Sequence, residues 1–227
     1  MTDLLHAYLL HARPYRETSL LLDVFTAETG RCGAVMRAGR RARSQPQLFQ
    51  PLLLGLQGAG ELRSVRVLEP AGSRLVLTGK ALFSGFYLNE LLSRLLPRDD
   101  VPPGLFLGYA TTLGQLAEGA PVEILLRQFE ADLLEALGYG IDYRHDADSG
   151  APVSAGFHYG FHPERGFCRV APGALGWDGS LLLQIAAGPS PGNADAWHAM
   201  KLIHRRALAR LLGPRPLKSR ELFLAGR

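Results

Sequence analysis

Residues 19–38 read SLLLDVFTAETGRCGAVMRA. In the first eight, Leu20, Leu22 and Val24 fall on one side of an extended chain, the period-two pattern of a half-buried strand. The turn AETG follows, and its Gly30 can take the positive φ that a tight connection needs. RCGAVMRA (31–38) then reads as the returning strand. Working outward, AYLLHAR (7–13) precedes this pair, and LFQPLLLGL (48–56) and ELRSVRVLE (61–69) flank the turn QGAG. Pro51 puts an edge or a bulge in the fourth strand, because proline has no N–H to give the ladder. Five short strands with closely spaced turns fit a small closed barrel, and the OB-fold is the commonest five-stranded one.

After EPAGSR the period changes. Leu82, Phe83, Phe86, Tyr87, Leu91 and Leu95 recur at helical spacing, and Pro97 ends the run. PVEILLRQFEADLLEALGYG (121–140) has Pro121 near its first helical position, Glu123 in its first turn and Gly138 as its stop. Leu125, Phe129, Leu133 and Leu137 form its core face. Residues 141–192 are rich in glycine and proline and read as irregular. A last helix runs from Asn193, a good N-cap, to Gly213. The predicted class is α+β: an OB-fold over 1–78, then a mainly helical domain over 79–227 with an irregular segment at about 141–192.

The chain has 227 residues and a net charge of +4, unevenly spread. Basic residues outnumber acidic ones 11 to 6 from 1 to 80 and 8 to 1 from 198 to 227, whereas acids lead 14 to 6 in between. A polyanion would therefore be held by the two ends. Two cysteines, Cys32 and Cys168, are too few for a disulfide framework, so a reducing cytoplasm is expected. No apolar run reaches the roughly 18 residues that cross a bilayer. The N-terminus carries Asp3 and no basic segment, and reads as mature sequence.

Arg37, Arg40, Arg41 and Arg43 are the main cationic cluster, with no Asp or Glu from Arg31 to Gly60. That exceeds what solubility requires and points to phosphate contacts. Lys201, Arg205, Arg206, Arg210, Lys218 and Arg220 either extend that surface or complement helix dipoles. Tyr15, Phe25 and Phe49 stack on bases or sit in the core. His158, His162 and Cys168, with Asp146 and Asp148 upstream, lack the CxxC spacing of a zinc site, and FHYGF reads better as a strand pair with aromatics, so no metal is expected. Glu130, Asp132 and Glu135 read as a solvated helical face. No nucleophile elbow, HExxH, phosphate loop or dinucleotide fingerprint occurs, so no enzymatic activity and no cofactor are expected.

LHARPYRETSLLLDVFTAETGR, FQPLLL, GFYLNELLSRLLP, LLRQFEADLLEALGYG and PLKSRELF together resemble, in order, stretches of the bacterial RecO family of DNA repair proteins. The likeness covers nearly the whole chain. It implies an N-terminal OB-fold, a helical C-terminal domain and a cytoplasmic, nucleoid-associated protein of recombinational repair. It further implies binding of single- and double-stranded DNA, annealing of complementary strands, and partnership with RecR. With RecR, such proteins help RecA displace SSB, whose acidic tail they also bind. The resemblance puts a tail-binding arginine at about Arg127, which otherwise pairs within its helix with Glu123 or Glu130. Many members carry two CxxC pairs where this chain has Asp146 and Ser149, then Cys168 and Ala171; this chain therefore resembles a zinc-free branch. The alternative is an OB-fold adaptor working mainly through protein contacts.

Overall fold

The computed structural model describes residues 3–37, 46–171 and 173–225. Arg40, Arg41 and Arg43 lie outside the described residues. The strands are β1 (Leu4–Tyr15), β2 (Ser19–Thr26), β3 (Gly30–Arg37), β4 (Leu52–Gln57), β5 (Leu62–Pro70), β6 (His158–His162), β7 (Gly166–Val170) and β8 (Trp177–Asp178). The helices are α1 (Gly79–Leu95), α2 (Leu105–Ala117), α3 (Val122–Ala136), α4 (Gly179–Ala186), α5 (Ala194–Leu212) and α6 (Lys218–Ala225). They divide into two compact units, Met1–Val122 with Leu217–Arg227, and Glu123–Pro216.

In the first unit β1 to β5 close into a barrel of order β1-β2-β3-β5-β4, with β4 returning to β1. All pairs are antiparallel except β3 with β5. This topology is consistent with an OB-fold. The inward alternation of Leu22, Val24, Cys32, Ala34, Met36, Leu52 and Leu54 builds its core. The fourth strand starts at Leu52 rather than Leu48. Phe49 takes a φ of 62° and packs its ring 5.6 Å from that of Phe86, so residues 48–51 turn instead of extending. The irregularity expected in this strand falls between Gly55 and Leu56.

The motif GFYLNELLSRLLP shows its purpose in α1. The ladder of β1 slips between Leu9 and His11, leaving carbonyls to satisfy. Asn89 donates from Nδ2 to the carbonyls of Leu10 at 3.1 Å and Leu9 at 3.4 Å, and accepts the Tyr109 hydroxyl at 2.6 Å. The next residue, Glu90, accepts the backbone N–H groups of Lys218 and Ser219 at 2.9 and 2.8 Å and the Ser219 hydroxyl at 2.7 Å. One dipeptide thus ties α1 both to the barrel and to the start of α6. Helix α2, to which the sequence reading assigned nothing, covers the barrel with an aromatic cluster: Phe106 lies 5.4 Å from Phe25 and 5.7 Å from Tyr8.

The second unit contains α5, which starts as expected: the Asn193 side chain accepts from Ala196 N–H at 3.1 Å. Residues 141–192 are not irregular throughout. They hold a three-stranded sheet of order β7-β6-β8 followed by α4. The aromatic and glycine alternation of HYGFH and GFCRV makes short strands whose Tyr159, Phe161 and Phe167 are buried. Among the described residues no helix is long and apolar enough to cross a membrane.

Candidate nucleic-acid interface

The end of β1, the start of β2 and the end of β3 meet at one end of the barrel. Tyr15 pairs with Ser19, and Ser19 with Arg37; one step in, Arg13 pairs with Leu21, and Leu21 with Val35. Directly paired residues point to the same side of a sheet. Leu20 and Met36, offset by one, pack with the core, so this set faces outward. Arg13, Arg16 and Arg37 are exposed and Tyr15 is half-buried. The Arg16 guanidinium lies over the Tyr15 ring at 5.1 Å, and the φ of 53° at Arg16 makes the turn that permits it. None of these three arginines has an ion-pair partner among the described residues. The surface therefore carries uncompensated cations around an aromatic ring and an apolar strip, the groups that hold phosphates and stack bases.

Arg13 and Arg16 were missed from sequence. Their signal was HARPYRE at the β1–β2 connection, which reads as ordinary turn polarity until the register sets it beside Arg37. Of the three aromatics considered for stacking, Phe25 and Phe49 are each 1% exposed and belong to the core, leaving Tyr15 at the surface.

The other cations are dispersed. Lys201 Nζ lies 3.0 Å from Glu123 Oε2, and Arg210 donates from Nε to Glu164 at 2.6 Å. The Arg206 guanidinium lies over the Trp177 ring at 5.1 Å. Arg205 is exposed. Lys218 is exposed and Arg220 half-buried, both on α6 in the first unit, whereas the α5 cations belong to the second.

Arg127 is 4% exposed, not a free cation beside an apolar face. Its Nη2 meets Glu130 Oε1 at 2.5 Å, and Nη1 lies 3.4 Å from Glu123. Glu130, expected on a solvated face, is 2% exposed; Asp132 and Glu135 do face solvent. Glu130 also meets His204 Nδ1 at 3.1 Å, and the Tyr143 hydroxyl stands 3.2 Å from His204 Nε2. Burial pushes the Tyr143 hydroxyl far above its ordinary range, reinforced by Glu130. Among the described residues, Arg127 Nε has no hydrogen-bond partner.

Sequence models described as recombination protein O N terminal and C terminal match residues 1–74 and 77–221. A protein of Cellvibrio japonicus named DNA repair protein RecO is 47% identical, over 99% of this chain and 98% of its own length. Pseudomonas aeruginosa and Yersinia enterocolitica have proteins of the same name at 49% and 44% identity, each over 96% of this chain and 93% and 92% of their own. The chain belongs to the recombination protein O family.

The segment where the RecO likeness placed cysteine pairs is held by a carboxylate. Asp146 Oδ1 accepts the N–H groups of Asp148 and Ser149, both at 2.9 Å, and Oδ2 accepts that of Arg169 at 2.9 Å. These bonds, that from Ser149 foremost, hold its carboxyl below the usual range against the opposing effect of burial. Asp148, in the turn that Asp146 caps, pairs with Arg165 of the β6–β7 turn. Among the described residues no group of three His, Cys, Asp or Glu side chains is placed to hold a metal ion.

Proposed function

We propose that this chain works in DNA repair and recombination by binding single- and double-stranded DNA and annealing complementary strands. With RecR as partner it helps RecA onto strands coated by SSB, as its RecO kinship implies. The observation that supports a DNA role most directly is the outward row at the barrel end: Arg13, Tyr15 and Arg37, with Arg16 beside them, none of the three arginines ion-paired among the described residues. The same β3 strand leads into Arg40, Arg41 and Arg43. Phosphates engage the guanidinium groups while a base stacks on Tyr15. Annealing needs no bond-breaking chemistry: a cationic surface that screens two strands raises their rate of encounter. Few groups here read base edges, so weak sequence preference is expected.

Of the second set of cations, Arg205, Arg206, Lys218 and Arg220 remain candidates for phosphate contact; Lys201 and Arg210 would first have to exchange Glu123 and Glu164 for DNA. An acidic SSB tail reaches Arg127 only by displacing Glu130 or by engaging the unpartnered Nε. The Lys201–Glu123 and Arg210–Glu164 pairs, which withdraw cations from DNA, favour the second reading, an adaptor acting mainly through protein contacts. The deciding experiment is annealing of SSB-coated strands by the wild type and by Arg13→Glu/Arg16→Glu/Arg37→Glu, with and without RecR. Loss of annealing in the variant supports the DNA reading; equal rates and intact RecR binding favour the adaptor.

A further inference from the structure

In the second unit a groove of about 660 Å³ opens where β6 begins and β7 ends. It is lined by Gly156, Phe157, His158, Arg169 and Asp178 among others. Its centre is a stack: the Arg169 guanidinium carbon lies 3.1 Å from the centroid of the Phe157 ring. Phe157 sits just before β6, and Arg169 lies opposite Tyr159 on β7, so the pair is built by strand register. The Arg169 backbone is fixed in turn by Asp146. Phe157 is 39% exposed, so the stack is open to solvent. Also lining the groove, His158 Nδ1 meets Asp178 Oδ1 at 2.9 Å, which orients the imidazole. Arg169 has no ion-pair partner among the described residues.

We propose that this groove takes one unstacked nucleotide of single-stranded DNA. A planar guanidinium pressed on a phenyl ring offers its second face to a nucleobase, and its outer N–H groups donate to the adjoining phosphate. Gly156 has no side chain there, so a sugar–phosphate chain can approach the wall closely. The size suits a small polar ligand with a flat apolar part. An acidic peptide would find the same cation but would meet Asp178, 75% exposed at the side chain, without a base to stack on the guanidinium. The assignment deepens the annealing reading: a nucleotide held on a compact unit other than the barrel keeps one strand splayed while a second strand is sampled.

The test uses the full chain and a short single strand carrying iododeoxyuridine. Photo-crosslinking followed by peptide mapping should place the label on a peptide lining the groove, that of Phe157 or that of Arg169, and Phe157→Ala, which removes the platform under the guanidinium, should abolish that crosslink. Arg169→Ala should weaken binding about three- to tenfold and lower the salt slope by about 0.7, the share of one phosphate. Arg169→Lys should restore the slope but not the crosslink, since it keeps charge and loses the planar stack. Unchanged affinity and slope in Arg169→Ala, with no crosslink at the groove peptides while the barrel variant loses binding, overturns the groove and leaves the barrel reading intact. Capture of an acidic peptide at the groove with no DNA crosslink overturns it equally. Absence of any DNA binding by the wild type sinks both.

Discussion

His204 and Glu130 are joined by a hydrogen bond of 3.1 Å between Nδ1 and Oε2, their side chains 1% and 2% exposed. Glu130 is held from its other oxygen by Arg127, so a buried cation, carboxylate and imidazole form one chain between α3 and α5. Such a chain is weak evidence for net stability, but removing one member strands the others.

Arg127→Ala should therefore cost about 3–5 kcal/mol in urea unfolding, because Glu130 keeps its burial and loses its guanidinium. Replacing Arg127 by Met and Glu130 by Leu together should recover much of that loss. The same pair of variants separates roles: an SSB-tail peptide that binds the wild type but not the refolded double variant implicates the guanidinium itself. Tail binding that returns with stability assigns Arg127 to structure alone.

Asp146 makes a linked prediction about pH. Its folded-state carboxyl is depressed by backbone N–H bonds, so its contribution is fully present above its unfolded value near 4 and is lost as pH falls through the folded value. Asp146→Asn should lower stability at neutral pH by about 1–3 kcal/mol, having too few acceptor positions for three donors. It should also flatten the acid limb of the stability curve. A curve parallel to the wild type's at all pH values would remove this carboxylate from the account.

The barrel was readable because strand alternation and turn residues act locally: Leu20, Leu22 and Val24 point inward whatever else the chain does. The fourth strand's late start was not, since only the packing of Phe49 against Phe86 explains why residues 48–51 turn. Helix α2 escaped because its residues are apolar on several sides, leaving no clear stripe to mark a boundary. Of the sheet of β6, β7 and β8, FHYGF reads as strand from its aromatics, but the rest hid behind glycines that read as loop; Gly176 and Gly179 are there because a side chain would strike the backbone of Tyr159 and Ser154. For the proposed site, the charge asymmetry directed attention to the N-terminal part of the chain, but only the pairing of Tyr15 with Ser19 and Ser19 with Arg37 brings Arg13 and Arg16 into the same surface. The pairing of Arg127 with Glu130 was one of two readings the spacing allowed; the burial that makes it consequential depends on α5, far away in sequence.

Glu90 predicts the behaviour of the C-terminal helix. It takes both backbone donors and the hydroxyl at the start of α6, so Glu90→Ala should expose residues 218–225 to rapid amide exchange. The global cost should be about 1–3 kcal/mol. Ser219→Ala removes one of the three bonds and should give a smaller effect in the same residues. If α6 exchanged as slowly in Glu90→Ala as in the wild type, its packing on α1, including Phe83 against Phe223 at 5.7 Å, would be holding it without the cap.

Gly30 offers the most local test of the barrel. Its φ is 72°, and the position a Cβ would occupy is filled by the Asp100 carbonyl. That carbonyl belongs to the segment after α1, which lies along β3: Asp99 N–H donates to the Arg31 carbonyl at 2.9 Å, and Arg31 donates to the Leu96 carbonyl at 3.0 Å. Gly30→Ala must both strain the turn and push the segment away, where an ordinary positive-φ glycine would cost only the strain, about 1 kcal/mol. A loss of roughly 2–4 kcal/mol in chemical unfolding is expected. Gly58→Ala, also at positive φ but open on all sides, should show the strain alone. Equal losses at the two positions would mean that the segment yields freely and does not brace β3.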